Sequence, residues 1–277
     1  MHVVKAAVLG IIQGLTEFLP ISSSGHLILA REGLRWELLA DVHLNKMFDV
    51  AVHTGTLISL VAYFGPDIAR LGCAFFASLR SGIAGDPTRR MAWLIVVGTI
   101  PAALAGAAGQ DIIEQKLGAP LLVASLLIVF GLILWLAEWR GAKTRDLDDL
   151  GWWDGILVGV AQAVALAPGV SRSGITMTAG LARGAKRETA ARFSFLLSIP
   201  IIAGTAAYGF VSLARHSAAL PPGALPMFLA GMGTAAASGY LCIRLFLRYL
   251  VRRGLLPFIL YRLALGLVLV VWFARLT

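Results

Sequence analysis

Four stretches of this chain are free of charge for about 20 residues or more, enough to cross ~30 Å of hydrocarbon, and that feature fixes the solvent before anything else is known. They are Met91 to Gln110, Gly118 to Ala137, Phe193 to Ala214 and Ser217 to Ile243, with shorter apolar spans at Val50 to Pro66 and Leu255 to Ala274. With 58% hydrophobic and only 14% charged residues among 277, the chain lacks the polar surface a soluble globule of this size needs. The expectation is an all-α integral membrane protein forming a single membrane domain over residues 1–277.

The formal charge of +9 reads as the marker of one membrane face rather than as a nucleic-acid footprint, so no nucleic-acid partner is expected. Cys73 and Cys242 lie far apart in apolar stretches and read as buried thiols, with no metal cluster or disulfide framework. The start of the chain carries Lys5 and an apolar run, but Gln13 and Glu17 interrupt it and no small-residue cleavage site follows, so no signal peptide is expected.

Two apolar segments break midway at a proline followed by a small, polar, glycine-containing loop. The first, Val3 to Ala30, breaks at PISSSGH (Pro20 to His26), and the second, Trp152 to Ala182, at PGVSRSG (Pro168 to Gly174). A shift of 149 places Gly10 on Gly159, Gln13 on Gln162, Ser22 on Ser171, Ser24 on Ser173, Gly25 on Gly174 and Ala30 on Ala179. It also places Gly55 on Gly204 and Thr56 on Thr205, which defines an internal repeat of about 1–66 and 150–215.

Non-helical backbone at membrane depth survives only where protein buries it or water reaches it, so paired broken helices mark a central site. Both are expected to be re-entrant helix-loop-helix hairpins, leaving six transmembrane helices. The alternative is two ordinary helices kinked at proline, with Gly10-x-x-x-Gly14 and Gly155-x-x-x-Gly159 serving close packing. Kinks alone do not call for so many polar residues at each break.

With six spans, Lys5, Arg31, Arg35, Lys46, Lys116, Arg215 and Arg275 fall on one side. Roughly twice as many Lys and Arg, from Arg70, Arg80, Arg89 and Arg90 through Arg252 and Arg253, fall on the other, leaving Arg172 and Arg262 within the membrane. The more basic side is expected to be cytoplasmic and both termini outside. The hairpins then enter from opposite faces as an inverted-topology repeat, and their tips meet near the midplane.

Gln13 and Glu17, four apart, share one helix face just before the break. A carboxylate at such depth costs ~3 kcal/mol by insertion scales unless a cation, a proton or water compensates it. After the break, Ser22, Ser23, Ser24 and Gly25 sit where a short helix should begin, and exposed amides at a helix start bind phosphate. The same holds for Ser171, Ser173 and Gly174, where Arg172 adds a fork matched to phosphate oxygens. An Arg172–Glu17 ion pair that only staples the hairpins is the structural alternative, and the two roles are compatible.

His26 follows Ser23 closely enough for its imidazole to reach a serine hydroxyl or a leaving oxygen, which suits a serine nucleophile with a histidine acid/base. His2, His43 and His216 have no such company and read as solvated. Asp49 and His53, four apart, lie on the Thr56 face of the next span, and Asp49 is as readily a helix N-terminal charge as a ligand. A divalent cation, Mg²⁺ or Ca²⁺, fits Glu17, with Gln13 and Asp49 as weaker candidates and substrate phosphate supplying the remaining oxygens.

The stretches QGLTEFLPISSSGHL (Gln13 to Leu27), FDVAVHTGTL (Phe48 to Leu57), GTIPAALAG (Gly98 to Gly106), PGVSRSGIT (Pro168 to Thr176), RFSFLLSIP (Arg192 to Pro200) and LPFILYRLALG (Leu256 to Gly266) carry a resemblance that runs nearly end to end. The chain resembles the undecaprenyl-diphosphate phosphatases, also called bacitracin-resistance proteins. The resemblance implies metal-dependent hydrolysis of undecaprenyl diphosphate to the monophosphate carrier of peptidoglycan synthesis, in the bacterial plasma (inner) membrane, at a site open to the outer face. By position it assigns Glu17 to the acidic motif, Ser23 and His26 to the serine-histidine loop and Arg172 to the phosphate-binding motif.

The sequence departs from the family pattern at Gln13, often Glu there, so the main burden falls on Glu17. Ser24 stands where threonine is common. The type-2 phosphatidic acid phosphatases share short Ser-Gly-His and Ser-Arg strings, but no histidine follows Arg172 at their spacing, and an inverted repeat has no place in their fold.

The expected mechanism sets the diphosphate between the hairpin tips, with attack by Ser23 or a bound water and His26 managing the proton. The rival is a lipid-phosphate flippase or secondary transporter, since such proteins also use broken helices at the midplane. The expected partners are the polyprenyl diphosphate and membrane lipids, and a homodimer is compatible with the sequence.

Overall fold

The computed structural model describes residues 2–34, 36, 42–117, 119–215 and 224–275. Arg35, His216 and the 217–223 part of the last charge-free stretch lie outside the described residues, as do the side chains of His43, Lys116 and Arg215. The chain is all-α: α1 (His2–Phe18), α2 (Ser23–Leu34), α3 (Val42–Ser81), α4 (Pro87–Leu117), α5 (Pro120–Arg140), α6 (Trp152–Val164), α7 (Arg172–Ala182), α8 (Arg187–Arg215), α9 (Ala224–Arg252) and α10 (Leu256–Ala274). Six of these, α3, α4, α5, α8, α9 and α10, are long and apolar enough to cross a membrane, so the protein is a multi-pass membrane protein.

The other four helices form two pairs. At 12, 13 and 11 residues, α2, α6 and α7 fall well short of the roughly 20 needed to span, and α1 has 17. Pro20 and Pro168 sit in the breaks, whereas Pro66, Pro101 and Pro200 are absorbed inside α3, α4 and α8. The span read as ending at Pro66 therefore continues to Ser81 as one helix of 40 residues, about 60 Å at 1.5 Å per residue. In a membrane, neighbouring helices and local adjustments re-satisfy the carbonyl a proline frees.

Each half of the chain holds the hairpin of the other. α1 packs along α9, and α6 packs along α4. The contact is close because glycines form it: a Cβ on Gly10 would lie 2.2 Å from the Gly231 carbonyl oxygen and one on Gly14 2.5 Å from that of Ala235. On the second pair, a Cβ on Gly159 would lie 2.5 Å from the Gly98 carbonyl oxygen. Lipid tails are as apolar as leucine, so helices associate here through close backbone contact and polar bonds rather than through water exclusion.

A ladder along α9 adds such bonds, each reaching a carbonyl on α1. Thr234 donates to Ala7 at 3.0 Å, Ser238 to Ile11 at 3.4 Å and the Cys242 thiol to Leu15 at 3.3 Å. Cys242 is buried as the sequence suggests, but Cys73 is exposed, on the outward face of α3 between the buried Leu71 and Ser78.

The prediction from this packing is that Gly159→Ala pushes α6 off α4 and lowers unfolding stability by about 1–3 kcal/mol, as overpacking does elsewhere. Gly204, whose Cβ would meet nothing, should accept alanine without such loss. Thermal unfolding of the two variants in detergent checks both.

Beneath the two hairpin turns lies an aromatic and aliphatic core. Phe18, next to Glu17, packs edge-on against Phe195 at 5.4 Å, and Phe195 in turn meets Phe64 and Phe246. The outer surface is apolar, with Phe76, Leu104, Tyr208 and Val271 exposed as lipid-facing residues are.

Candidate active site

The two hairpin turns meet. Ser22 and Ser171, which the shift of 149 superposes, both adopt left-handed backbone, with φ of 72° and 73°. Such a conformation costs a non-glycine residue about 1–3 kcal/mol and persists only where the surroundings over-determine it. Each is followed at once by the first residue of a short helix, Ser23 of α2 and Arg172 of α7. The Ser173 hydroxyl then crosses to the other turn and donates to the Leu19 carbonyl at 2.9 Å.

Glu17 is the hub, and its side chain is only 8% exposed. Its Oε1 accepts from Arg172 Nη2 at 2.6 Å, joining residues 155 apart in sequence. Its Oε2 accepts from the Ser23 hydroxyl at 2.7 Å and from Gln13 Nε2 at 2.9 Å. His53 Nε2 stands 3.9 Å from the same oxygen. The structure thus brings Gln13, Glu17, Ser23 and Arg172 together as the sequence suggests, and the ion pair that was the stapling alternative is present.

His26 is placed differently from expectation. Its Nδ1 lies 2.7 Å from the Ser22 carbonyl and its Nε2 2.8 Å from the Tyr261 hydroxyl, with the two rings stacked at 5.6 Å. A carbonyl only accepts, so Nδ1 carries the proton, and in the neutral ring Nε2 accepts from tyrosine. Both nitrogens are taken, and Ser23 is left to Glu17. The reason is helical: Nδ1 bonds back to the carbonyl four residues earlier, which turns the ring away from Ser23 and toward α10.

Asp49 is also drawn elsewhere, since it pairs with Arg31 of α2. It fixes α2 against α3 rather than joining the carboxylate of Glu17.

The serines pair within each turn, Ser22 with Ser24 at 3.2 Å and Ser171 with Ser173 at 3.3 Å. Ser171 also caps α7 by accepting from the Gly174 amide at 3.2 Å. The two glycines differ. A Cβ on Gly25 would sit in ordinary contact, 3.7 Å from Leu127 Cδ1 and 3.9 Å from Ser22 Oγ, so packing does not demand a glycine there. One on Gly174 would lie 2.9 Å from Arg262 Nη1 and 3.1 Å from Ser171 Oγ, so this glycine makes room for protein rather than phosphate.

The hairpins are unequal in chemistry. Where the first has Glu17, Ser23 and His26, the second has Leu166, Arg172 and Ile175. Acid, hydroxyl and imidazole come from one turn and the guanidinium from the other. Arg172 Nη1 is buried without a partner among the described residues, leaving a donor for an incoming oxygen.

The sequence shows His53 through its helical spacing from Asp49 and Thr56 but gives it no role at the site, whereas Tyr261 carries no signal, because only the packing of α10 brings it to His26.

A divalent cation finds a limited donor set. Among the described residues no three His, Cys, Asp or Glu side chains gather. Gln13, whose Nε2 bonds the Glu17 carboxylate, has its Oε1 buried without a partner among the described residues, and an amide and a carboxylate oxygen suit a hard cation whose other ligands come from substrate.

A hydroxyl on a carboxylate, with a guanidinium carrying an unused donor, set between broken helices in a six-span bundle, defines an intramembrane anion-handling protein. The sequence model described as bacitracin resistance protein BacA matches residues 6–268, and the chain belongs to that family. The undecaprenyl-diphosphatase of Geobacter sulfurreducens is 50% identical over 277 residues, covering 99% of this chain and 100% of that one. Undecaprenyl-diphosphatase 1 of Pseudoalteromonas translucida is 45% identical over 98% of this chain and 99% of its own, and the undecaprenyl-diphosphatase of Moorella thermoacetica 47% over 99% and 100%.

Proposed function

We propose that this protein hydrolyses undecaprenyl diphosphate to undecaprenyl phosphate and inorganic phosphate between its two hairpin tips. The observation that carries the reading is the joining of Ser23 and Arg172 through one buried carboxylate, Glu17, in a family whose relatives are named for this reaction. The transporter reading gains no support, because the relatives named above are diphosphatases.

The terminal phosphate docks against Arg172, whose free Nη1 takes one oxygen, and against first-turn amides of α2, which have no intrahelical acceptors. Ser23 Oγ, or a water in its place, attacks the terminal phosphorus while Glu17 takes the proton it already shares. The P–O bond to the bridging oxygen breaks, and undecaprenyl phosphate departs. Where Ser23 is the nucleophile, water then cleaves the phosphoserine and releases phosphate. His26 stands on the α10 side, and for it to hand a proton to the leaving oxygen the ring must first be protonated and its Nε2 must leave the Tyr261 hydroxyl, while Nδ1 stays on the Ser22 carbonyl.

Mg²⁺ or Ca²⁺ bound by Glu17 and Gln13 would neutralise phosphate charge. The internal repeat is read as an inverted one, each hairpin returning to its own face. The basic side, where exposed Trp135 stacks on Trp139 and Arg140 lies over the Trp139 ring, is read as cytoplasmic, with the termini and the site opening toward the outer face of a bacterial plasma membrane. Isoprenoid carbon lies along the exposed apolar helices.

Phosphate release from undecaprenyl diphosphate by purified protein tests the reading. Wild-type protein should release phosphate, lose the activity in EDTA and regain it with Mg²⁺ or Ca²⁺. Ser23→Ala should fall by about 10²–10³-fold, the scale set by removing one member of a nucleophile-base pair. Absence of any phosphate release would refute the function, and an unchanged Ser23→Ala rate would remove serine from the chemistry.

A further inference from the structure

Arg262 of α10 lies within a span and is fully buried. Its Nε donates to the Leu127 carbonyl at 2.8 Å, and its Nη2 to the carbonyls of Gly169 at 2.8 Å and Val170 at 2.6 Å. Every one of these partners is main chain. Nη1 has no partner among the described residues and stands where a Cβ on Gly174 would lie 2.9 Å away. An intramembrane arginine costs about 3 kcal/mol by insertion scales, so a residue kept there without an acid is held for what it touches.

What it touches is the strained part of the second hairpin. Gly169 at φ +93° and Ser171 at φ +73° flank Val170, so two left-handed residues stand within three. Backbone of this kind holds its shape only when fixed from outside. The carbonyls at 169 and 170 are the negative end of the turn, and oxygens facing a diphosphate would repel it. Arg262 donates to both, so neither oxygen is left bare beside the start of α7. The preceding residue, Tyr261, reaches His26 of the first hairpin, so adjacent positions of α10 brace both tips.

We propose that Arg262 is a positioning residue for the phosphate-binding turn: it fixes Gly169 and Val170 so that Arg172 meets Glu17, and its unmatched Nη1 adds positive field at the start of α7. The proposal rests on the diphosphatase reading above. It accounts for Gly174, which makes room for this guanidinium, and for a buried charge that pairs with no acid among the described residues.

Titration calorimetry with inorganic pyrophosphate tests it, using wild type, Arg262→Lys and Arg262→Gln, each also in an Arg172→Lys background. Because the effect runs through Arg172, Arg262→Gln should weaken pyrophosphate by about tenfold and Arg262→Lys, which can still hold one carbonyl, by about threefold. In the Arg172→Lys background the Arg262→Gln effect should shrink to about twofold or less. An Arg262→Gln affinity equal to wild type, or a full effect persisting beside Arg172→Lys, would overturn the proposal. If Arg262→Gln does not fold, Arg262→Lys decides by the same criteria. Wild-type protein that binds no pyrophosphate would contradict the diphosphate site itself, a separate failure.

Discussion

Replacing Arg172 by alanine is expected to lower phosphate release by about 10³-fold, and by lysine by about 10²-fold, in line with the worth of a guanidinium at a transferring phosphoryl group. Alanine removes the donor at Glu17 and the free Nη1 together. Lysine keeps the charge but is a compact point charge without the planar fork, so it cannot reproduce the two separated contacts, Nη2 with the carboxylate and Nη1 with the phosphate. Since the transferring group spreads charge over its oxygens, the loss should fall mainly on kcat. Steady-state kinetics on undecaprenyl diphosphate reads this, and a lysine variant at wild-type rate would show that the second donor is not used.

The second large effect concerns Glu17. Glu17→Gln should reduce activity by about 10³-fold, because one residue loses its hold on Ser23, Arg172 and Gln13 at once. It should also destabilise the protein by about 3 kcal/mol, since it leaves a guanidinium largely withdrawn from water without its anion. The double variant Glu17→Gln with Arg172→Gln removes both charges and should recover much of that stability. It should stay inactive. If the pair only fastened the hairpins, the double variant would regain activity along with stability, so unfolding and kinetics on the same preparations separate the two roles.

Much of the site was legible because its chemistry is written locally. A proline, then serines and a glycine inside apolar sequence, is costly in lipid unless it has a purpose, and the register between Ser22 and Ser171 reappears in their matching backbone. Glu17 and Gln13 were legible as one face of a helix. What could not be read are contacts made by helices distant in the chain. Tyr261 and Arg262 are ordinary members of an apolar span until α10 packs beside both turns, and Gly174 looks like a phosphate glycine until Arg262 fills the space beside it. His26 does not meet Ser23 for a local reason: proximity in sequence says nothing of the backbone carbonyl that captures its ring.

The helix ends were legible only in part. A proline ends a helix in water more readily than in a membrane, which is why α3 runs through Pro66. The pairing of α1 with α9 and of α6 with α4 follows from glycines that the sequence displays without naming their partners.

The most direct test places cysteines at Leu19 and Ser173, after replacing Cys73 and Cys242 with alanine, and asks whether a short bifunctional thiol reagent joins them in native membranes. The Ser173 hydroxyl lies 2.9 Å from the Leu19 carbonyl, so rapid cross-linking that blocks phosphate release is the predicted result. Two cysteines that react separately, each from its own membrane face, and never become joined would contradict the meeting of the tips.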